Sequence, residues 1–167
     1  MKRGVFLLFG SNRGNRLGNI LKALDRISRR AGPVLKRSSV YETDPWGFED
    51  PIRFLNMVVE IDSSLNPSSL LGLIKETEVG MGRVRKGHSY RPRSIDVDIL
   101  LYNNLIIDSE ALTIPHPHLP ARRFALVPLV EIAPGLVHPV LRKTMSTLLK
   151  QCTDGAKVDM YKPFLAV

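Results

Sequence analysis

Apolar residues along this chain follow two periods, and the places where one gives way to the other mark the elements. Residues 5–9 form an unbroken apolar run that predicts a buried strand, closed by the turn-forming Gly10-Ser11-Asn12. From Leu17, apolar positions recur at Leu21, Leu24, Ile27 and Ala31, the spacing of one helix face, and Gly32-Pro33 ends that helix. Residues 34–41 predict a second strand, and Asp44-Pro45-Trp46-Gly47 opens a loop running through Asp50-Pro51. Alternation returns at 54–62, where Leu55, Met57, Val59 and Ile61 point one way and Phe54, Asn56 and Val58 the other. Asn66-Pro67 is a cap and first-turn pair for a helix carrying Leu70, Leu73, Ile74 and Thr77 and stopping near Gly80. A basic loop runs to Pro92. The strand predicted at 95–102 then has Ile95, Val97, Ile99 and Leu101 on one face and Asp96 and Asp98 on the other, and short helical segments follow at 120–133 and 144–152.

Strand–helix–strand–strand–helix–strand is the order of the split βαβ, or ferredoxin-like, sandwich. The expected class is therefore α+β: a βαββαβ unit with helices on one face of an antiparallel sheet, the other face free for ligands, and short helices at the C-terminal end. That architecture serves many unrelated activities, so function has to be argued from side chains.

The 167 residues, 44% of them hydrophobic, make one domain over 1–167 with enough chain to bury a core unaided. The longest apolar stretch is five residues, too short for a membrane span, and the basic start is followed by too little apolar chain for a signal peptide. A single cysteine, Cys152, excludes an internal disulfide and a cysteine-built zinc cluster and points to the cytoplasm. The net charge of +8 is unevenly spread: residues 42–78 hold eight of the sixteen acids, whereas 83–95 hold Arg83, Arg85, Lys86, Arg91 and Arg93 and no acid. Such polarity suits a polyanionic partner, a nucleotide or a nucleic acid, and equally a solvated basic surface.

Asp96 and Asp98 are the sharpest chemical signal. Two apart on a strand, their carboxylates face the same way at about 6.6 Å, and two like charges on one strand face repel unless something neutralises them. Mg²⁺ held together with substrate phosphates would do so, and the alternative is a polar solvent face. The arginines just upstream bind phosphate through paired hydrogen bonds and stay charged at any pH. No Gly-Lys-Ser/Thr phosphate loop is present. His116 and His118 could form an HxH metal pair but lack a third ligand at suitable spacing. Asn56, on the ligand-facing side of its strand, could read a heterocycle with its paired donor and acceptor. Tyr41, Trp46, Phe48 and Phe124 could line a flat pocket or serve the core.

The strings GSNRGN, YETDPWG, FLNMVVEI, GRVRKG, RPRSIDVDILLY, IPHPHLPARRFALVPL and EIAPGLVHP occur in this order from about residue 5 to 140. In them the chain resembles the 6-hydroxymethyl-7,8-dihydropterin pyrophosphokinase family of folate biosynthesis, which moves a diphosphate from ATP to a pterin alcohol and releases AMP. The resemblance implies that Asp96 and Asp98 bind two Mg²⁺ ions. It implies ATP contacts at Glu78, Arg85, Arg93, Ile99, His116 and Arg122, with Arg83 and Arg93 joining the aspartates in catalysis and Lys75 standing near the nucleotide. The implied pterin slot comprises Thr43, Asp44, Pro45, Trp46, Phe54, Asn56, Tyr90 and Phe124. Asp98 is the candidate acceptor of the alcohol proton. The expected partners are small molecules, with neither nucleic acid nor membrane, and the expected form is a cytoplasmic monomer. Arg91 and Tyr90 depart from the family, which usually has Gly and often Trp there, and the tail from Thr153 matches no family element. Two other functions compete. A nucleic-acid module on the same sandwich would need paired sheet aromatics, which are missing; a metal-dependent phosphohydrolase would use His116, His118 and the aspartates.

Overall fold

Asn15 opens helix α1 (Arg16–Ala31) by accepting a hydrogen bond from the Gly18 N–H, and Asn66 opens α2 (Pro67–Gly80) by accepting from the Ser69 N–H, with Pro67 in the first turn. Gly32 closes α1 at a φ of 142°, where a Cβ would lie 1.9 Å from the Asp62 carbonyl oxygen; only glycine fits. The computed structural model describes residues 4–82 and 94–163. Its strands are β1 (Val5–Ser11), β2 (Val34–Arg37), β3 (Val40–Thr43), β4 (Phe54–Ile61), β5 (Asp96–Tyr102), the short pair β6 (Ile107–Asp108) and β7 (Thr113–Ile114), and β8 (Val158–Lys162). The main sheet has the order β5-β1-β4-β3-β8, with β2 also paired to β4. The central strand β1 runs antiparallel to both neighbours, and all seven of its residues are buried. The fold is the expected ferredoxin-like α+β arrangement.

One face of the sheet packs on α1 and α2. Leu7 and Phe9 of β1 and the alternating Leu55, Met57, Val59 and Ile61 of β4 meet Ile20, Leu24, Ile27, Leu70 and Ile74 there. The other face is less free than expected. Helices α3 (Arg123–Ile132) and α4 (Met145–Gln151) cover much of it, burying Leu126, Leu129 and Met145 against Phe6, Leu8 and Val58. Among the described residues, the end of this face near Gly10 is left uncovered.

Three local expectations are corrected. The single strand at 34–41 is two, broken where the Ser38 hydroxyl accepts from the Val58 N–H at 3.0 Å and the Glu131 carboxylate accepts from both Ser39 N–H and Ser39 Oγ at 2.7 Å. Side chains there replace ladder hydrogen bonds. Leu101 does not share a face with Val97 and Ile99. The β1–β5 pairing jumps from Leu7↔Ile99 to Phe6↔Leu101, and this extra residue turns Leu100 and Leu101 both toward α3 and α4. The unassigned tail contains β8, antiparallel to β3 in the register Tyr41↔Met160 and Thr43↔Val158.

Candidate active site

Strand register assembles the site. Gly10 of β1 lies opposite Asn56 on one side and Asp96 on the other; Leu8 lies opposite Asp98, and Thr43 of β3 opposite Phe54. The register thus sets Asp96, Gly10 and Asn56 side by side, with Thr43 diagonally across from Asn56, at the uncovered end of the sheet. Gly10 is glycine for a steric reason, since a Cβ there would lie 2.8 Å from Asn56 Oδ1. Asn56 itself is buried and donates from Nδ2 to Thr43 Oγ1 at 2.7 Å, which fixes the amide plane.

Above this floor is an aromatic-walled cleft. Thr43, Asp44, Trp46, Phe54, Asn56 and Phe124, the described residues of the implied slot other than Pro45, line it together with Asp96 and Asp98. Phe48 and Arg122 line it as well. Phe48 meets Phe54 edge to face, with centroids 6.0 Å apart at 84°. The Arg122 guanidinium stands 4.5 Å from the Trp46 ring centroid and 5.6 Å from that of Phe124, and Nη1 is 3.9 Å from Asp98 Oδ2. Arg122, expected at ATP, therefore braces the aromatic wall and faces the carboxylate pair. Pro45 is not among the residues lining this cleft.

A second cleft runs along the outer edge of β5, lined by Ile74 and Lys75 of α2, by Asp98 and Ile99, and by His116 and Pro117. Asp98 lines both clefts. Of the expected ATP contacts, Ile99 and His116 fall here and Lys75 lies beside them. Glu78 is buried beneath the strand, and its Oε2 accepts from the Val97 N–H at 3.2 Å, a contact that steadies β5 between its two aspartates. Arg83, Arg85, Tyr90 and Arg93 lie outside the described residues.

Burial, then the positive charges of Arg122 and His118, push His116 down to about pKa 4 against the opposing pull of Asp96, so the ring is neutral near pH 7. Its Nδ1 accepts from the His118 N–H at 3.2 Å, which leaves Nε2 as the protonated, donating nitrogen. With Nδ1 engaged in this turn, the pair forms no metal cluster with the aspartates: no group of three His, Cys, Asp or Glu comes together among the described residues. The two carboxylates on one strand face are hard oxygen donors that fit Mg²⁺ sharing its shell with phosphate oxygens and water.

A family model described as 7,8-dihydro-6-hydroxymethylpterin-pyrophosphokinase (HPPK) matches residues 6–134. The chain belongs to this family. It is similar to the 2-amino-4-hydroxy-6-hydroxymethyldihydropteridine pyrophosphokinase of Aquifex aeolicus, 39% identical over 163 residues that span 98% of this chain and 96% of that one. The enzyme of the same name from Bacillus subtilis is 44% identical over 133 residues, 79% of each chain. The folic acid synthesis protein fol1 of Pneumocystis carinii is 40% identical over 164 residues, and the chain spans 22% of its length. Among solved structures, Plasmodium falciparum HPPK-DHPS shares the fold with a TM-score of 0.72 at 17% identity, over 90% of this chain and 45% of that one.

Seen as an HPPK chain, the molecule carries supporting residues that sequence reasoning missed. Arg13 grips Asp50 with both guanidinium arms, at 3.1 and 2.7 Å, and Asp50 in turn accepts from the Ile52 N–H at 2.9 Å. This latch holds the loop that carries Phe48. Only the pairing of a basic turn with an acidic loop some forty residues on could have signalled it, and no local pattern marks such a pair.

Proposed function

We infer that this chain transfers a diphosphate from ATP to the hydroxymethyl group of 6-hydroxymethyl-7,8-dihydropterin and releases AMP, the reaction of its family. The observation that carries this reading is the pair of clefts sharing Asp98. One is flat, aromatic and floored by a hydrogen-bonding amide, suited to a pterin; the other follows a strand edge and suits a nucleotide.

In this reading the pterin ring lies against Phe54, Trp46 and Phe124, with its polar edge on Asn56 and Thr43. Arg122 keeps Trp46 in place while adding positive charge beside the transferring group. ATP lies along Ile99 with the neutral His116 donating from Nε2 and Lys75 beside it, and Arg83, Arg85 and Arg93 gather the phosphates. Asp96 and Asp98 would hold two Mg²⁺ ions, which when bound neutralise phosphate charge and fix the geometry of displacement. The alcohol oxygen bonds to the β-phosphorus, the bond from that phosphorus to the α–β bridging oxygen breaks, and AMP leaves. Asp98, on both clefts, is the acceptor of the hydroxyl proton. Positioning and charge neutralisation carry such a transfer, so no covalent nucleophile is required. The reading takes the protein as a monomer, and the single cysteine supports a cytoplasmic setting.

The test is AMP formation. Purified protein with MgATP should produce AMP only when hydroxymethyldihydropterin is added. Inorganic phosphate released from ATP alone, or AMP formed without pterin, would refute the assignment.

A further inference from the structure

Arg53 and the C-terminal strand β8 form a polar hub behind the aromatic cleft. All five N–H donors of Arg53 have acceptors: Nε donates to Asp44 Oδ1 at 3.0 Å, Nη1 to Glu42 Oε1 at 3.3 Å and Asp159 Oδ2 at 3.2 Å, and Nη2 to the carbonyls of Glu42 at 3.1 Å and Lys157 at 3.2 Å. Asp44 is tied a second time, for its Oδ2 accepts from the Lys157 N–H and its own N–H donates to the Lys157 carbonyl, both at 3.2 Å. The carboxylate of Asp44 is thus shared between Arg53 and the tail. What this fixes is the backbone of a segment that begins with Thr43, the partner of Asn56, and leads directly to Trp46.

We propose that Arg53, together with β8, is a clamp that sets the pterin slot, making Arg53 a positioning residue for pterin and not for ATP. The proposal rests on the reading of the aromatic cleft as the pterin site. Its physical basis is that the hydrogen bond from Arg53 to the cleft runs to one lining residue, Asp44. Arg53 acts through Asp44, whose displacement would carry Thr43 and Trp46 with it, and misplacement on the order of 1 Å costs up to about 100-fold in a positioned site. The ATP cleft, along the far edge of the sheet at β5, shares none of these contacts.

The experiment compares wild type, Arg53→Met, Arg53→Lys and Asp159→Asn by KM for hydroxymethyldihydropterin, KM for MgATP, and acrylamide quenching of Trp46, the chain's single tryptophan. Arg53→Met should raise the pterin KM about tenfold or more, leave the ATP KM within about twofold, and make Trp46 more quenchable without any ligand. Arg53→Lys keeps the charge but loses the planar fork and should recover less than half of the effect. Asp159→Asn, a mild change that preserves folding, should shift the same readouts in the same direction by about twofold to threefold. A pterin KM and Trp46 quenching equal to wild type in Arg53→Met, or in Asp159→Asn should the first variant not fold, would overturn the proposal. An equal rise in both KM values would also overturn it, as a merely structural role. Failure of wild type to make AMP would instead refute the proposed function; the quenching comparison still decides the clamp, and unchanged quenching sinks it.

Discussion

A methyl group on Gly10 tests the site at its floor. The backbone there is not in the left-handed region, so alanine meets no conformational penalty and the effect is steric. Its Cβ would sit 2.8 Å from Asn56 Oδ1, and ordinary contact begins near 3.4 Å, so the amide must move by several tenths of an ångström. It cannot retreat along the sheet. On the far side of β4 its Nδ2 already lies 2.7 Å from Thr43 Oγ1, the short end of hydrogen-bonding distance. The remaining escape is upward into the cleft, where the pterin edge would lie. Overpacking of this kind costs about 1–3 kcal/mol, offset by the roughly 0.5–1 kcal/mol that alanine gains over glycine within a strand. Gly10→Ala should therefore lower stability by only about 0–2.5 kcal/mol while weakening pterin binding about tenfold or more, as expected for a displaced hydrogen-bonding group. Urea melts and pterin titration against Trp46 fluorescence read the two effects. A double-mutant cycle sharpens the test. In an Asn56→Ala background the clash is gone, and Gly10→Ala should become neutral or stabilising, giving a coupling of about 1–3 kcal/mol. Additivity within about 0.5 kcal/mol, or wild-type pterin affinity in Gly10→Ala, would refute the reasoning.

Asp96→Asn and Asp98→Asn should each cut turnover by about two or more orders of magnitude while leaving the melting temperature near wild type, because each removes one of two like charges on a strand face; near-normal turnover at limiting Mg²⁺ would contradict the metal assignment. His116 titrates near 6.5 when unfolded and near 4 when folded, so the unfolded chain binds its proton first: the stability present above pH 6.5 should fall by on the order of 3 kcal/mol as pH drops to 4. His116→Gln should remove most of that slope from pH-dependent urea melts, and an unchanged slope would show that the ring is not held neutral. Arg83→Ala should lower kcat more than it raises the ATP KM, measured by steady-state kinetics, whereas equal changes would make Arg83 a ground-state contact.

Where one element's pattern is enough, the fold was legible. The alternation of β4 separated the core-facing Leu55, Met57, Val59 and Ile61 from Phe54 and Asn56, the apolar spacing and Gly32-Pro33 located α1, and Asn66-Pro67 located the start of α2. The site was legible as far as its types of residue depend on local spacing: Asp96 and Asp98 do share a strand face beside the clefts. Features that depend on distant partners were not. The break between β2 and β3 is made by Glu131, 92 residues away, and β8 earns its place through contacts to Arg53 and Asp44, 104 to 113 residues away. The turn of Leu101 to the other face comes from pairing against β1, which no pattern within 95–102 encodes.

Charge shows the same difference between sequence order and spatial order, and it bears on function. In sequence, the acid-rich stretch 42–78 is followed by the basic stretch 83–95. In space its acids are spread over separate pairings: Glu42 with Arg16 and Arg53, Asp44 with Arg53, Asp50 with Arg13, and Glu76 with Arg30. Three of these arginines come from the first thirty residues, so α1 and the turn before it supply the neutralising charge. The partly buried pairs among them fix loop geometry more than they add stability, since desolvation offsets much of the attraction, and the exposed Arg30–Glu76 pair between α1 and α2 adds little. The chain's excess of positive charge is consequently no measure of affinity for a long polyanion. What matters at the site is local: two carboxylates on β5, with Arg122 3.9 Å from one of them, presented beside an aromatic slot. A nucleic-acid surface would place two carboxylates against phosphates, a repulsion that the one guanidinium of Arg122 offsets only in part. Divalent cations brought in with a nucleotide would make ligands of those same carboxylates, so the proposed phosphate-transfer site suits this placement of charge better than a binding face does.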